Sequence, residues 1–244
     1  MPRAIELSEI PGLVDEYRRA AQRAKEAGFD GVEVHGANGY LIDQFLQDNS
    51  NRRTDVYGGS IENRARFLLN VLDAVISVWG SGRVGVRIGP SNKFGGMGDS
   101  APDVTFPYVA RALARRGLAY LHIIEPRVTG NVSDDGKPPV AAGLLRPLFG
   151  GPVIAAGGFD AAGAEAILAK GEADLVAFGR HFLANPDLPE RLRRSLPLNP
   201  YDRATFYYGG ERGYADYPAY ETGRQDELTA SGSSALSIHR SSLL

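Results

Sequence analysis

Helical segments alternate with short apolar segments along most of the chain, and this alternation constrains the fold more than any other feature. The predicted helices cover residues 10–27, 60–79, 103–116, 141–149 and 161–170, and the predicted strands cover residues 29–35, 83–88, 118–124, 153–156 and 174–178. Strands that alternate with helices pair in parallel through right-handed crossovers. The sequence therefore predicts an α/β fold built on a parallel sheet.

Two architectures fit this alternation: an open doubly wound sheet, or part of a (β/α)₈ barrel. The second and fourth predicted strands, residues 84–88 and 153–156, are rich in Val, Ile and Ala. Strands this apolar are typical of sheets buried on both sides, so we expect helices on one face and packed side chains on the other. Only five strands are predicted, whereas a closed barrel needs eight.

Composition excludes several classes of function. The 244 residues carry a formal net charge of −2, which gives no basic footprint for nucleic acid or for a membrane surface. The absence of cysteine excludes disulfides and thiolate chemistry. With neither a signal peptide nor a long apolar segment recognisable, we expect a cytoplasmic protein.

The chain is predicted to form one domain over residues 1–221, followed by a disordered serine-rich tail over residues 222–244. Two segments, residues 36–59 and 89–102, are longer than ordinary connections in such folds. The second contains Lys93, Phe94 and Met97, which either set substrate preference or belong to a plain surface loop.

Polar residues follow the predicted strands at one end, where parallel α/β folds place their ligands. The first strand leads into His35, Asn38 and Tyr40. His35 and Asn38 are suited to donate hydrogen bonds to a carbonyl or nitro oxygen, and Tyr40 to supply a proton. Alternatively, His35 is a hydrogen-bonded strand-end residue and Tyr40 a packing residue.

Glycine turns after the fourth and fifth strands resemble the phosphate sites of barrels. They contain Gly157 and Gly158, then Gly179 and Arg180. The alternative is a pair of tight turns with a solvated arginine. Arg87, within an apolar strand, needs an anionic or carbonyl partner, which a ligand could supply.

Several runs resemble the old yellow enzyme family of FMN-dependent ene-reductases, which includes 12-oxophytodienoate reductases and N-ethylmaleimide reductases. The first runs are HGANGYLIDQF at residues 35–45 and NRRTDVYGGSIENR at residues 51–64. The others are residues 118–126, 178–180, 185–188, 199–207 and 213–218. The similarity extends over about residues 2–221. It implies a partial (β/α)₈ TIM barrel with about five of the eight units, the C-terminal ones.

The resemblance also implies roles. His35 and Asn38 would bind the oxygen of an α,β-unsaturated carbonyl or nitro substrate, and Tyr40 would protonate its α-carbon. Arg87 would contact the flavin of FMN, with NAD(P)H as the reductant, and Tyr207 would line the substrate cavity. The FMN phosphate would be held by residues already noted in the glycine turns: Gly157, Gly158, Gly179 and Arg180.

One departure from the family is that the first strand here corresponds to the fourth of the family's barrel. We therefore expect the N-terminal part of the barrel to be missing. This leaves a second hypothesis: a truncated, inactive or assembly-dependent remnant that pairs with a complementary chain or with itself through open barrel edges. A third is a non-redox barrel enzyme acting on a phosphorylated sugar or acid.

Overall fold

The computed structural model describes residues 3–91, 93–126 and 140–220. Five parallel strands form one sheet in the order β1-β2-β3-β4-β5. They are β1 (Val32–Gly36), β2 (Val84–Ile88), β3 (Tyr120–Ile124), β4 (Val153–Ala156) and β5 (Leu175–Ala177). Each strand pairs with the next in the sequence, as in a barrel and unlike the reversed order of a doubly wound sheet.

Eight α-helices are present in the described residues. They are α1 (Ile10–Glu26), α2 (Leu41–Leu46), α3 (Ile61–Trp79), α4 (Pro102–Ala114), α5 (Ala142–Phe149), α6 (Ala161–Ala169), α7 (Arg180–Ala184) and α8 (Leu188–Arg194). The N-cap residues Ser60 and Asp160 accept hydrogen bonds from the first turns of α3 and α6. The five predicted helices and the five predicted strands are confirmed, with ends that differ by at most three residues.

The two faces of the sheet differ in polarity. Side chains alternate along each strand, so Val34, Val86, Leu121 and Ala155 all point to the face that the helices cover, and all are buried. We call this the helix face. The opposite face carries polar side chains on the first three strands and is called the polar face: Glu33, His35, Arg87, Tyr120 and His122.

The expectation of helices on one face and packed side chains on the other holds only in part for β2, where Gly85 is buried and Arg87 is half-buried. Its apolar residues Val84, Val86 and Ile88 all point to the helix face, whereas Gly85 and Arg87 lie between them on the polar face. The strand looked doubly buried because glycine breaks the usual alternation of apolar and polar residues. On β4, Ile154 is likewise only half-buried.

The described residues divide into two compact units, one that ends at residue 177 and one that begins at residue 178. The core of the first lies between the sheet and its helices, with stacked rings of Phe45 and Phe67 whose centroids are 4.4 Å apart. The predicted tail over residues 222–244 lies outside the described residues, as does Arg127 after the third strand. No helix in the described part of the chain is long and apolar enough to cross a membrane.

Candidate functional site

Three adjacent strands place a row of cationic or imidazole side chains on the polar face. His35 of β1 is the register partner of Arg87 of β2, and Arg87 is the register partner of His122 of β3. Residues paired in this way project from the same face, about 5 Å apart from strand to strand. The structure thus brings the predicted residues His35 and Arg87 together at the carboxyl end of the sheet.

A tight turn connects β1 to α2 and presents Tyr40 next to His35. Asn38 and Gly39 have left-handed backbone conformations, with φ of 58° and 76°. A Cβ atom at Gly39 would lie 3.1 Å from the Phe94 carbonyl oxygen, and this tight contact adds to the strain that a side chain would have at a positive φ. The rings of His35 and Tyr40 meet edge to face with centroids 5.4 Å apart. The three residues predicted from the sequence therefore share one turn.

The buried carboxylate of Asp43 stabilises this turn through hydrogen bonds. Asp43 accepts a hydrogen bond from the Gly39 backbone N–H at 2.9 Å and one from the Gln47 side-chain amide at 2.7 Å. Burial raises the pKa of Asp43 to about 6, although both hydrogen bonds favour the ionised form. Asp43 was not predicted as part of the site, and its only sequence signal is an acidic residue in the first turn of α2.

His35 lies in an environment that favours its neutral form. Burial, and after it the positive charge of Arg87, lower the pKa of the His35 imidazole below its usual value. A neutral imidazole still has one N–H donor and one acceptor nitrogen. At neutral pH, His35 can thus polarise a substrate oxygen by hydrogen bonding without carrying a charge of its own.

Arg87 is half-buried on the polar face, and burial lowers the pKa of its guanidinium while the charge of Glu33 opposes that effect. Its Nε atom is buried and has no hydrogen-bond partner. A buried N–H donor without a partner costs free energy, so native structures almost always satisfy it. This unsatisfied cation is suited to an anionic or carbonyl group of a ligand.

Beside Arg87 lies a hydrogen-bonded group that the sequence analysis missed. The Nδ1 atom of His122 is 2.9 Å from a carboxylate oxygen of Glu33, and the Tyr120 hydroxyl also donates to Glu33. Partial burial disfavours ionised Glu33, but the hydrogen bonds from His122 and Tyr120, with the charge of Arg87, hold its pKa below its usual value. The only sequence signal for Glu33 was its position two residues before His35, which places the two side chains on the same face of β1.

The long segment after β1 and the long segment after β2 contact each other through hydrogen bonds. The Asn49 side chain donates to the Gly96 carbonyl at 2.6 Å, and Asp48 accepts from the Ser100 backbone N–H at 2.9 Å. Arg64 of α3 pairs with the fully buried Asp99 carboxylate at 2.6 Å and also donates to the Leu46 carbonyl. Phe94 is more than half exposed beside Gly39, so the 90–102 segment adjoins the His35–Tyr40 turn.

The residues predicted to bind phosphate are divided between the two units. Gly157 and Gly158 follow β4 in the first unit with positive φ values of 136° and 67°. Gly179 precedes α7 in the second unit, where the Arg180 guanidinium stacks 5.6 Å from the ring centre of Tyr201. Tyr207 also belongs to the second unit and is 87% exposed.

Residues of the second unit form a hydrogen-bonded network around the buried Arg191. This guanidinium donates to Asp187 at 2.7 Å, to Asn199 at 3.2 Å, and to the carbonyls of Pro197 and Pro218 at 2.9 Å each. Asn185, also buried, donates to the His181 carbonyl and accepts from the Asn199 backbone N–H. These hydrogen bonds join residues of the runs at 185–188, 199–207 and 213–218.

Comparison with known proteins places these features in context. The family described as NADH:flavin oxidoreductase / NADH oxidase matches residues 1–199. A 12-oxophytodienoate reductase 1 from Oryza sativa subsp. japonica is 49% identical over 224 residues, which is 90% of this chain and 58% of the relative. A 12-oxophytodienoate reductase 2 from Arabidopsis thaliana is 47% identical over 225 residues, 91% of this chain and 59% of the relative.

Solved structures give the same result. Morphinone reductase superposes with a TM-score of 0.84 at 52% identity, over 92% of this chain and 59% of that protein. An old yellow enzyme homologue from Zymomonas mobilis gives a TM-score of 0.85 at 40% identity, over 89% of this chain and 61% of that protein. The partial barrel predicted from the sequence is confirmed, and the chain spans about three fifths of the length of these relatives.

Proposed function

Because the chain belongs to the NADH:flavin oxidoreductase / NADH oxidase family, the old yellow enzyme family, we propose that it reduces the C=C bond of α,β-unsaturated carbonyl or nitro compounds with FMN and NAD(P)H. One observation supports this proposal above all. His35, Tyr40 and Arg87 lie together at the carboxyl end of the sheet, which is where barrel enzymes perform their chemistry.

The polar face suits a flavin on chemical grounds. Arg87 offers a half-buried guanidinium at the same register as His35 on this face. Arg87 would hold the pyrimidine end of FMN and favour negative charge there. Bound FMN would supply the redox chemistry, accepting a hydride from NAD(P)H and passing it to the substrate. Gly157 and Gly158, and likewise Gly179 and Arg180, stay predicted phosphate ligands.

The residues of the His35–Tyr40 turn would activate the substrate. The His35 N–H and the Asn38 amide would donate hydrogen bonds to the substrate oxygen and withdraw electron density from the conjugated C=C bond. The Tyr40 hydroxyl, on an exposed side chain beside His35, would deliver a proton to the α-carbon. Tyr207 stays a predicted substrate contact.

Steady-state kinetics tests the proposal. Protein saturated with FMN should oxidise NADPH when 2-cyclohexenone is added. The double variant His35→Ala/Asn38→Ala should lose at least about 100-fold in turnover, the usual effect of removing donors to a reacting oxygen. Retained flavin absorbance in the variant shows that the loss is not a loss of cofactor. An unchanged turnover would contradict the polarising role.

Tyr40→Phe tests the proton step separately. We expect slower reduction of 2-cyclohexenone while reduction of the enzyme by NADPH alone, followed by stopped-flow absorbance, keeps its rate. Tyr208→Phe is the matched control because Tyr208 is 82% exposed in the second unit. Equal effects of the two variants would contradict the role of Tyr40.

A second candidate rests on the edges of the sheet. β1 and β5 each have a neighbour on one side only within the described residues, and unpaired strand edges favour association. In this proposal the chain acts only with a complementary chain or with a second copy. Sedimentation velocity of the isolated protein, monitored at the flavin absorbance, distinguishes the two candidates: a yellow, active monomer contradicts the second.

A further inference from the structure

The group formed by Glu33, Tyr120 and His122 is not explained by the proposed function. It extends across three strands, because Tyr120 of β3 reaches over β2 to Glu33 of β1. Gly85 of β2 makes this possible: a Cβ atom there would lie 2.2 Å from the Tyr120 ring. Packing alone does not require a side chain to cross a neighbouring strand. We therefore interpret the crossing as a way to hold the polar atoms of Tyr120 and Glu33 in place.

The atom that this group fixes is Nε2 of His122. An ionised carboxylate only accepts hydrogen bonds, so Glu33 binds His122 through a protonated Nδ1 atom. In the neutral imidazole, Nε2 then carries a lone pair and no proton. His122 is 8% exposed, and its Nε2 atom is buried without a hydrogen-bond partner.

An unsatisfied donor lies next to this unsatisfied acceptor. Arg87 and His122 are register partners on neighbouring strands, and Nε of Arg87 is also buried without a partner. One donor and one acceptor side by side complement a hydroxyl group, which accepts one hydrogen bond and donates another. A ring nitrogen or a carbonyl satisfies only one of the two.

We propose that His122, positioned by Glu33, binds the cofactor by accepting a hydrogen bond from a ribityl hydroxyl whose oxygen accepts from Arg87. This inference rests on the proposed function, because it assumes that a flavin occupies the polar face. Glu33 is a positioning residue, since it acts through the imidazole rather than on the ligand.

Flavins of different length test the proposal. FMN and riboflavin carry the ribityl chain, whereas lumiflavin lacks it. We expect His122→Phe to weaken the binding of FMN and riboflavin about five- to tenfold, the usual effect of one hydrogen bond, and to leave lumiflavin binding unchanged. Fluorescence quenching of each flavin gives the dissociation constants. Circular dichroism shows whether the variant is folded.

Nitrogen-15 NMR of the imidazole tests the positioning role without any flavin. Wild-type His122 should show the neutral tautomer protonated at Nδ1, and Glu33→Gln should shift it toward the tautomer protonated at Nε2. Glu33→Gln should also weaken riboflavin binding, and it leaves the imidazole in place should His122→Phe fail to fold. Asp30→Asn is the matched control: it removes the same charge from an exposed side chain two residues before β1 begins.

The outcomes separate the two proposals. A wild-type protein that binds none of the three flavins overturns the proposed function and this inference with it. A wild-type protein that binds FMN while His122→Phe binds it equally well overturns the inference alone. So does an equal loss of lumiflavin binding, or a His122 imidazole that is doubly protonated or carries its proton on Nε2.

Discussion

Single residues set the geometry of the polar face, and Gly85 is the clearest example. Its replacement by alanine would force the Tyr120 ring to move, since the new Cβ would lie within 2.3 Å of two ring atoms. Overpacking of this kind costs about 1–3 kcal/mol. We expect Gly85→Ala to lower the free energy of unfolding by that amount in urea titrations.

The control for Gly85→Ala is Gly82→Ala, where a new Cβ would contact nothing within 4 Å. Combining Gly85→Ala with Tyr120→Ser should remove most of the cost, because the clash is with the ring. If Gly85→Ala lowers the free energy of unfolding equally in the wild type and in Tyr120→Ser, the clash with the Tyr120 ring is not the cause of the destabilisation.

Asp43 should make stability depend on pH. Its folded pKa of about 6 lies above the usual value of 3.8, so the native state binds more protons than the unfolded state between those values. Its stabilising contribution is therefore complete below about pH 4 and is lost as the pH rises through 6, which costs about 3 kcal/mol.

Asp43→Asn should remove this dependence. Urea unfolding of both proteins at pH 4.5 and pH 7 should give a stability difference, wild type minus variant, that is larger at pH 4.5. Asp30→Asn, which changes an exposed carboxylate, should give the same difference at both pH values. A difference for Asp43→Asn that does not change with pH would contradict the raised pKa.

At the scale of elements, the Arg64–Asp99 pair holds the segment that follows β2 against α3. Removing one partner of a buried ion pair leaves an uncompensated charge and costs about 3–5 kcal/mol. We expect Arg64→Met to lower the free energy of unfolding by this much in urea titrations. The control is Arg116→Met, because its partner Asp73 is 57% exposed and such pairs contribute about 0–1 kcal/mol. Similar losses in both variants would contradict a structural role for the buried pair.

The long elements could be predicted from the sequence because each combines an apolar period with recognisable ends. Ser60 is the N-cap of α3 and Asp160 is the N-cap of α6, while Gly117 and Gly171 have the left-handed conformation typical of helix ends. The short helix α2 was not predicted, since its six residues lie inside a segment rich in Gly and Asn. Its stability comes from tertiary contacts of Ile42, Phe45 and Leu46, which local propensity does not reveal.

At the scale of the whole molecule, the sequence predicts those site residues that lie at the carboxyl ends of the strands, because these ends meet at one edge of the sheet. His35 and Arg87 were identified from their positions at the ends of strands, and the register brings them together. His122 and Glu33 were missed because their contact joins strands that are not neighbours in the sheet. No pattern within one segment reports such a contact.

Ligand-induced stabilisation distinguishes a flavin site from a sugar-phosphate site. FMN at about 100 times its dissociation constant should stabilise the folded state by about 2.7 kcal/mol and raise the Tm by about 5–10 °C. Ribose 5-phosphate at the same concentration, as the control, should leave the Tm unchanged in differential scanning fluorimetry. The reverse result would favour the non-redox barrel enzyme.

The strict alternation of β2 between its two faces has a consequence for how this fold tolerates changes in length. Inserting a single residue before Arg87 would turn the guanidinium toward the helices and expose Val86 or Ile88 in its place, whereas inserting a pair would restore the parity of the strand. We therefore expect insertions or deletions of one residue only in the connecting segments. Within a strand, such a change would move the side chain that carries the chemistry to the other face of the sheet.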